Sequence, residues 1–144
     1  MKRYPAERAM VPVALTDILL DVRRLGVLEE ERLARLELAL EEILVNICNH
    51  AYTGLDVAGD RRGFAVEVRS SPGRVVVEIV DSGRAFDPTS LVSPDTAAGL
   101  EERPIGGLGI HLVRTMVDGM EYRREGSRNL LNLIMDAAAA EEGS

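Results

Sequence analysis

The segment LELALEEILVNICNHAY, residues 36–52, has the residue spacing of a long amphipathic helix with two different faces. The apolar arc, which predicts the face that packs against a core, comprises Leu33, Leu36, Leu40, Ile43, Leu44 and Ile47. Glu42, Asn46 and Asn49 share a second arc, with His50 at its edge. Such side chains can bind a hydrated cation and supply a general base, but a solvent-exposed helix face often has the same composition.

The bulk composition indicates an ordinary soluble globular protein with an aliphatic core. A chain of 144 residues predicts a single domain over 1–144. The net charge of −7 argues against a general nucleic-acid-binding protein. It leaves a nucleotide ligand open, because backbone amides can bind a phosphate. No apolar run has the length of a membrane span and the first residues lack a signal-peptide pattern, so no membrane contact and a cytoplasmic location are expected.

The periodicity predicts three helices. The first runs from Val13 to Leu25 and ends at Gly26, since glycine is favoured just past a helix end. The second begins near Glu29, within an acidic run that suits the positive end of the helix dipole, and continues to about Tyr52. The third covers residues 110–117.

Four strands are predicted around these helices. Residues 63–70 alternate apolar and polar side chains, and residues 74–82 are rich in β-branched residues, which together indicate an antiparallel hairpin. Residues 120–124 and 130–136 form a second strand pair around a turn. Elements grouped in this way favour an α+β fold, with helices on one face of a mainly antiparallel sheet.

The stretch from Gly83 to Gly109 has many Gly and Pro residues and little periodicity. Such a segment is uncommon inside a compact domain and is usually functional or mobile, so residues 87–105 are interpreted as a lid. The tail 137–144 is expected to be disordered.

Two glycine-containing motifs suggest ligand contacts. Asp81, at the end of a strand, can accept a hydrogen bond from an exocyclic amine, and Gly83 would let a flat ring approach the backbone. The same D-x-G pattern is also typical of a plain Asx turn. The run IGGLGIHLV, residues 105–113, leads glycines directly into a helix, where backbone amides and the helix dipole suit a phosphate. It is neither a P-loop nor a Rossmann fingerprint.

These motifs in this order resemble those of a known superfamily. EEILVNICNHAY (41–52), DSGRAFDP (81–88), GGLGIHLV (106–113) and GSRNLLNLIM (126–135) are similar to the N box, the two glycine boxes and the last strand of GHKL ATP-binding domains. Within the superfamily, the chain resembles the stand-alone anti-sigma-factor serine/threonine kinases over roughly residues 10–136. The resemblance implies the two-layer Bergerat fold.

The resemblance also implies residue roles. Asn46 would coordinate Mg²⁺, Asp81 would bind the adenine amine with Gly83 near the ring, and Glu42 would be the general base of phosphoryl transfer. Further nucleotide contacts are assigned to Asn49, Arg103, Gly106, Gly107, Leu108 and Gly109. The last strand departs from the family pattern, because Ser127, Arg128 and Asn129 stand where these kinases tend to have a pair of threonines.

The implied activity is phosphorylation, with ATP and Mg²⁺, of a serine on an anti-sigma-factor antagonist, which regulates a sigma factor by partner switching. Three functions remain open: this kinase, a nucleotide-dependent binding module without significant kinase activity, and a degenerate fold that binds no nucleotide. Direct nucleic-acid binding is not expected. A homodimer, formed through the first helix and a sheet edge as in family members, is a further possibility.

Overall fold

The computed structural model describes residues 1–57, 61–90 and 107–138, and these residues form a sheet covered by helices. The sheet has five strands in the order β1-β2-β3-β5-β4. Their bounds are β1 Lys2–Pro5, β2 Gly63–Ser71, β3 Arg74–Asp81, β4 Gly119–Glu125 and β5 Arg128–Asp136. Every pairing between these strands is antiparallel. The predicted hairpin and the second strand pair are therefore both confirmed.

Within the described residues, three α-helices form the second layer: α1 Val11–Leu25, α2 Glu30–Asn46 and α3 Gly107–Met116. The chain leaves α1 through Gly26, whose φ of 69° is the left-handed conformation that favours glycine after a helix. Helix α2 packs against both α1 and α3. The predicted α+β class, with helices on one face of the sheet, is confirmed.

The core lies between α2 and the inner face of the sheet. All six residues of the apolar arc predicted from the sequence are buried: Leu33, Leu36, Leu40, Ile43, Leu44 and Ile47. Alternate residues of β3 and β5 face them and belong to the same cluster, including Val75, Val77, Ile79, Leu131 and Leu133. Burial of this apolar surface is the main favourable term in folding.

The N-terminal residues form β1, a strand at one edge of the sheet that is additional to the four strands predicted from the sequence. The Tyr4 ring stacks on Phe64, with the ring centroids 5.4 Å apart. The Tyr4 hydroxyl donates to the Asp17 carboxylate at 2.9 Å. Burial and the negative charge of Asp17 raise the pKa of Tyr4 to about 12. This side chain therefore links β1 to both β2 and α1.

The second helix differs from the prediction at its C-terminal end. The α-helical hydrogen bonding stops at Asn46, and Ile47–Ala51 form one turn of π-helix. A π turn has i→i+5 hydrogen bonds and so a wider turn, and such turns are frequent at functional sites. The sequence predicted one regular helix to Tyr52. The spacing of apolar residues cannot show that the hydrogen-bond pattern changes in the last turn of a helix.

Some expectations fall outside the described residues. These are most of the predicted lid, 91–105, and the last part of the tail, 139–144. Of the lid, Pro88–Ser90 form a short 3₁₀-helix. No helix in the described ranges is both long and apolar enough to cross a bilayer.

Candidate nucleotide-binding site

A cavity of about 360 Å³ lies where the ends of β3 and β5 meet the C-terminal part of α2 and the π turn. This volume is within the range of small-molecule sites, roughly 300–1,000 Å³. The wall is mostly apolar, with a few polar side chains, as binding sites for flat heterocycles are. Its polar side chains are Asn46, His50, Asp81, Arg84, Tyr122 and Asn129.

Asp81, the last residue of β3, is buried in this wall. Its Oδ1 accepts hydrogen bonds from the Gly83 backbone N–H at 2.8 Å and from Asn129 Nδ2 at 3.0 Å. The first bond is the Asx turn that the sequence offered as an alternative. Oδ2 accepts no hydrogen bond from the described part of the chain. Asp81 thus makes a structural turn through one oxygen and leaves the other for a ligand.

The charge of Asp81 depends on opposing influences. Burial raises the pKa of this carboxyl above its ordinary value, since the charged form loses solvation. Hydrogen bonds from Asn129 and Gly83, and the positive charge of Arg124, oppose that rise because they favour the carboxylate. These groups partly offset the cost of burying the charged form of Asp81.

Gly83 packs against the π turn. A Cβ atom built at Gly83 would lie 2.4 Å from the Ala51 carbonyl oxygen and 2.6 Å from the Ala51 Cβ. The Arg84 backbone N–H donates to the same carbonyl at 2.8 Å. The sequence attributed this glycine to the approach of a ligand ring. The structure shows that the missing side chain makes room for Ala51, and the predicted contact of Gly83 with a ligand ring stays a prediction.

Tyr52, the residue after the π turn, also fixes the contact between this turn and the D-x-G segment. Its buried hydroxyl donates to the Gly63 carbonyl at 2.5 Å and accepts from the Ser82 backbone N–H at 3.0 Å. One side chain thus connects the end of the π turn to β2 and to the residue after β3. The π turn and the D-x-G segment are therefore one packed unit.

We expect Gly83→Ala to destabilise the fold by about 2 kcal/mol, since overpacking against backbone atoms costs roughly 1–3 kcal/mol. The Ala51 carbonyl accepts a hydrogen bond from the Arg84 backbone N–H. Moving this carbonyl away from a Cβ atom at residue 83 would strain that hydrogen bond. Urea denaturation measures the effect. Ser82→Ala, an exposed neighbour, is the control and should change stability by less than about 0.5 kcal/mol. Equal stability of the two variants would contradict this account of Gly83.

The polar arc of the second helix is divided by the π turn. Asn46 and His50 line the cavity, whereas Asn49 is exposed and absent from its wall. In the wider turn, His50 and Ala51 follow Asn46 and Ile47 on the cavity side. Glu42, one turn earlier, is half-buried and also lies outside the wall. The Asn46 amide has no hydrogen-bond partner among the described residues.

Asn129 is a residue of the cavity wall to which the sequence assigned no role. It starts the inner face of β5, pairs with Asp81 across the strands, and is 5% exposed. The alternation of β5 contains this signal, because Asn129 has the same parity as Leu131 and Leu133, which belong to the core. An asparagine in that series is a buried polar group, which must be hydrogen-bonded.

The second glycine box is only partly described. Gly107, Leu108 and Gly109 form the first turn of α3, which agrees with a helix that begins inside the glycine run. Arg103 and Gly106 lie outside the described residues. The contacts predicted for these five residues therefore stay predictions.

Comparison with known proteins decides the family. A family profile described as "Histidine kinase-like ATPase domain" matches residues 4–135, which is nearly the whole chain. The chain belongs to this family. Membership confirms the superfamily resemblance drawn from the four motifs, and it implies use of ATP by this histidine kinase-like ATPase domain.

Two named protein kinases are similar to this ATPase domain. One is the serine/threonine-protein kinase BtrW of Bordetella bronchiseptica, 33% identical over 72% of this chain and 70% of its own length. Another is the serine-protein kinase RsbW of Bacillus pumilus, 31% identical over 69% of this chain and 62% of its own length. Both support protein kinase activity for the chain.

A solved structure supports the fold. The blue-light activated histidine kinase of Erythrobacter litoralis EL346 aligns with this chain at a TM-score of 0.52 and 22% identity. The alignment covers 80% of this chain and 33% of the histidine kinase chain. At that identity the likeness concerns the ATPase fold alone. It agrees with the helix layer and antiparallel sheet described above.

Proposed function

We propose that the chain is an ATP- and Mg²⁺-dependent serine/threonine kinase of the anti-sigma type. It phosphorylates a serine of an anti-sigma-factor antagonist and regulates a sigma factor by partner switching. One observation carries the proposal: Asp81 and Asn46 line the same cavity, and among the described residues nothing hydrogen-bonds to Asp81 Oδ2 or to the Asn46 amide. The first suits a nucleobase amine and the second suits a cation on phosphates.

The adenine ring is placed by one polar contact and several apolar ones. Asp81 Oδ2 accepts the exocyclic amine, a charge-assisted bond that is stronger than a neutral one. Ile79, Leu131 and Phe86 supply apolar wall for the faces of the ring. Burial of a flat ring among such side chains contributes the non-directional part of the affinity.

The residues present fit a magnesium ion. Mg²⁺ prefers oxygen ligands and keeps several waters, so that it needs few protein ligands beside the substrate phosphates. Asn46 offers a carboxamide oxygen that no described residue occupies, in the cavity wall. Bound there, the ion would neutralise charge on the phosphates. Asn46 would hold it, and Asp81 would hold the opposite, base end of the nucleotide.

Phosphoryl transfer mainly needs positioning and a group that takes the proton of the attacking hydroxyl. The serine oxygen forms the new bond to the γ-phosphorus, the bond to the ADP oxygen breaks, and the hydroxyl proton passes to Glu42. Glu42 is half-buried and has no hydrogen bond or ion pair with any residue in the described ranges. An unpartnered carboxylate one turn before Asn46 is available for this role.

One observation favours a second candidate, a nucleotide-dependent binding module without significant kinase activity. Glu42 lies outside the wall of the cavity, although the proposed base has to reach a hydroxyl beside the γ-phosphate. In this alternative, nucleotide binding alone changes the affinity for protein partners.

The partners follow from the similarity to the two named kinases, and a cytoplasmic location follows from those partners. A second copy of the chain is a further partner in this proposal. Two features support it: β1 is an edge strand, and Val13 and Leu20 on α1 are exposed apolar side chains. An open strand edge and apolar surface are both suited to association.

Calorimetry of ATP binding with and without Mg²⁺, followed by phosphotransfer to serine-bearing antagonist proteins, tests the proposal. We expect wild type to bind ATP and to transfer phosphate. Asn46→Ala should abolish the Mg²⁺ dependence, whereas the exposed Asn49→Ala serves as the matched control. ATP binding without transfer to any antagonist would favour the binding module. Absence of ATP binding would reject both functions, and an effect of Asn49→Ala equal to that of Asn46→Ala would reject the geometry.

A further inference from the structure

Asn129 is surrounded by groups that use every hydrogen-bonding position of its amide. Its Oδ1 accepts from the Tyr122 hydroxyl at 2.6 Å, from Arg124 Nη1 at 3.0 Å and from the Phe86 backbone N–H at 3.4 Å. Its Nδ2 donates to Asp81 Oδ1 at 3.0 Å and to the Arg84 carbonyl at 2.7 Å.

These contacts leave the amide a single orientation. A reversed amide would turn its NH₂ group toward Arg124 Nη1 and the Phe86 N–H, which can only donate, and its oxygen toward two acceptors. Four of the five contacts would become repulsive, since only the Tyr122 hydroxyl can also accept. Asn129 has no capacity left for a ligand. Its effect on a ligand must therefore pass through Asp81.

The consequence for Asp81 is that only one of its oxygens is open. Oδ1 is occupied by Asn129 Nδ2 and the Gly83 N–H, and Oδ2 is without a hydrogen bond in the part of the chain that is described. A carboxylate with two open oxygens can accept two parallel donors at once. In the Asp81 carboxylate, Oδ1 already accepts two hydrogen bonds from described residues, so this parallel arrangement is closed and donors are limited to Oδ2.

We propose that Asn129, held by Tyr122 and Arg124, is the positioning residue that sets base specificity: it occupies one oxygen of Asp81 and so excludes guanine. This inference rests on the proposed nucleotide-binding function. Adenine offers one exocyclic amine, which matches the one open acceptor. Guanine that turns its N1–H and 2-amino donors toward the carboxylate needs both oxygens, one of which Asn129 occupies. In the orientation of adenine, its 6-oxo group would instead meet Oδ2 as a second acceptor.

The edge strand β4 thereby takes part in base recognition. Tyr122 and Arg124 both project from β4 onto Asn129, in register with Leu131 and Asn129 of β5. Arg124 Nη1 also donates to the Gly83 carbonyl at 2.9 Å, so the same guanidinium supports the D-x-G turn. A single network connects the edge strand, Asn129 and the carboxylate that faces the base.

Calorimetry with ADP and GDP on wild type and three variants tests this inference. Asn129→Leu removes the amide at nearly constant volume, and the preference for ADP over GDP should fall by about tenfold, the value of one hydrogen bond. Tyr122→Phe removes one of the three donors to Oδ1 and should lower the preference by about threefold. Asn132→Leu is the control, because Asn132 is also a buried asparagine of β5 but contacts Arg69.

The ratio of the ADP affinity to the GDP affinity is the decisive quantity. If Asn129 had a merely structural role, its replacement would weaken the binding of both nucleotides equally. An unchanged ratio in Asn129→Leu and Tyr122→Phe, with ADP still bound, overturns the inference and leaves the proposed function intact. If Asn129→Leu does not fold, the ratio in Tyr122→Phe decides. Wild type that binds no ADP would reject the proposed function, and with it this inference.

Discussion

Asp81→Asn is expected to lower the affinity for ATP by about 100-fold, since a hydrogen bond to a charged group contributes roughly 1.5–3 kcal/mol. The asparagine oxygen can still accept from Gly83 and from Asn129, so the contacts that use Oδ1 are retained. The NH₂ group then replaces Oδ2 and presents a donor to the adenine amine, which is itself a donor. Calorimetry with ATP–Mg²⁺ measures the loss.

The same variant gives a pH-dependent stability difference. The pKa of Asp81 is raised in the folded protein, mainly by burial, so the folded state resists ionisation more than the unfolded chain does. Wild type should therefore lose stability as pH rises through the interval between the ordinary Asp pKa, about 4, and the raised value, and level off above it. Asp81→Asn lacks this loss, so its melting temperature relative to that of wild type should increase as pH rises above about 4 and then reach a plateau.

Two results would contradict these expectations. ATP affinity within about threefold of wild type would show that Asp81 does not bind the base, since that is less than one hydrogen bond. A melting-temperature difference independent of pH would show that the carboxyl titrates alike in the folded and unfolded states. Denaturation of Asp81→Asn at every pH would mean that Asn cannot replace the Oδ1 contacts.

Glu42→Gln should lower phosphotransfer to the antagonist by about 10²- to 10⁴-fold, the usual contribution of a general base. The change keeps the size of the side chain and removes its basicity. ATP affinity should stay within about twofold of wild type, because Glu42 lies outside the cavity wall. Single-turnover transfer from labelled ATP measures the rate.

Glu41→Gln is the matched control for this prediction. Glu41 is exposed and precedes Glu42 on α2, so the substitution makes the same change of charge on the same turn. It should leave phosphotransfer within about twofold, as surface changes usually do. Equal rates for Glu42→Gln and wild type would remove Glu42 as the base, and equal losses in both variants would indicate a general effect of charge on partner binding.

Periodicity predicted most of the fold. The apolar arc of the second helix depends only on residue spacing, and all six of its residues are buried. The same holds for β2 and β3, since alternation and β-branched residues report a half-buried strand. The short β1 was not predicted in this way, because Lys2–Pro5 contain a single buried residue, Tyr4, and one residue shows no periodicity.

The site was predicted in part. Asn46 and Asp81 were assigned from the motifs, and the structure brings both to one cavity. Asn49 does not reach it, because the π turn changes the relation between residue number and direction. Asn129 was not assigned, because its role depends on its partners Asp81, Tyr122 and Arg124, which belong to two other strands, β3 and β4.

The sequence by itself thus determined the layers, the buried faces and the family, because each of these depends on the order and spacing of residues along one segment. The tertiary structure decided that Gly83 accommodates Ala51 and that one oxygen of Asp81 is occupied by Asn129. Both facts depend on strand register and on the packing of a helical turn against a strand end. Those are set by contacts between segments that are distant in the chain.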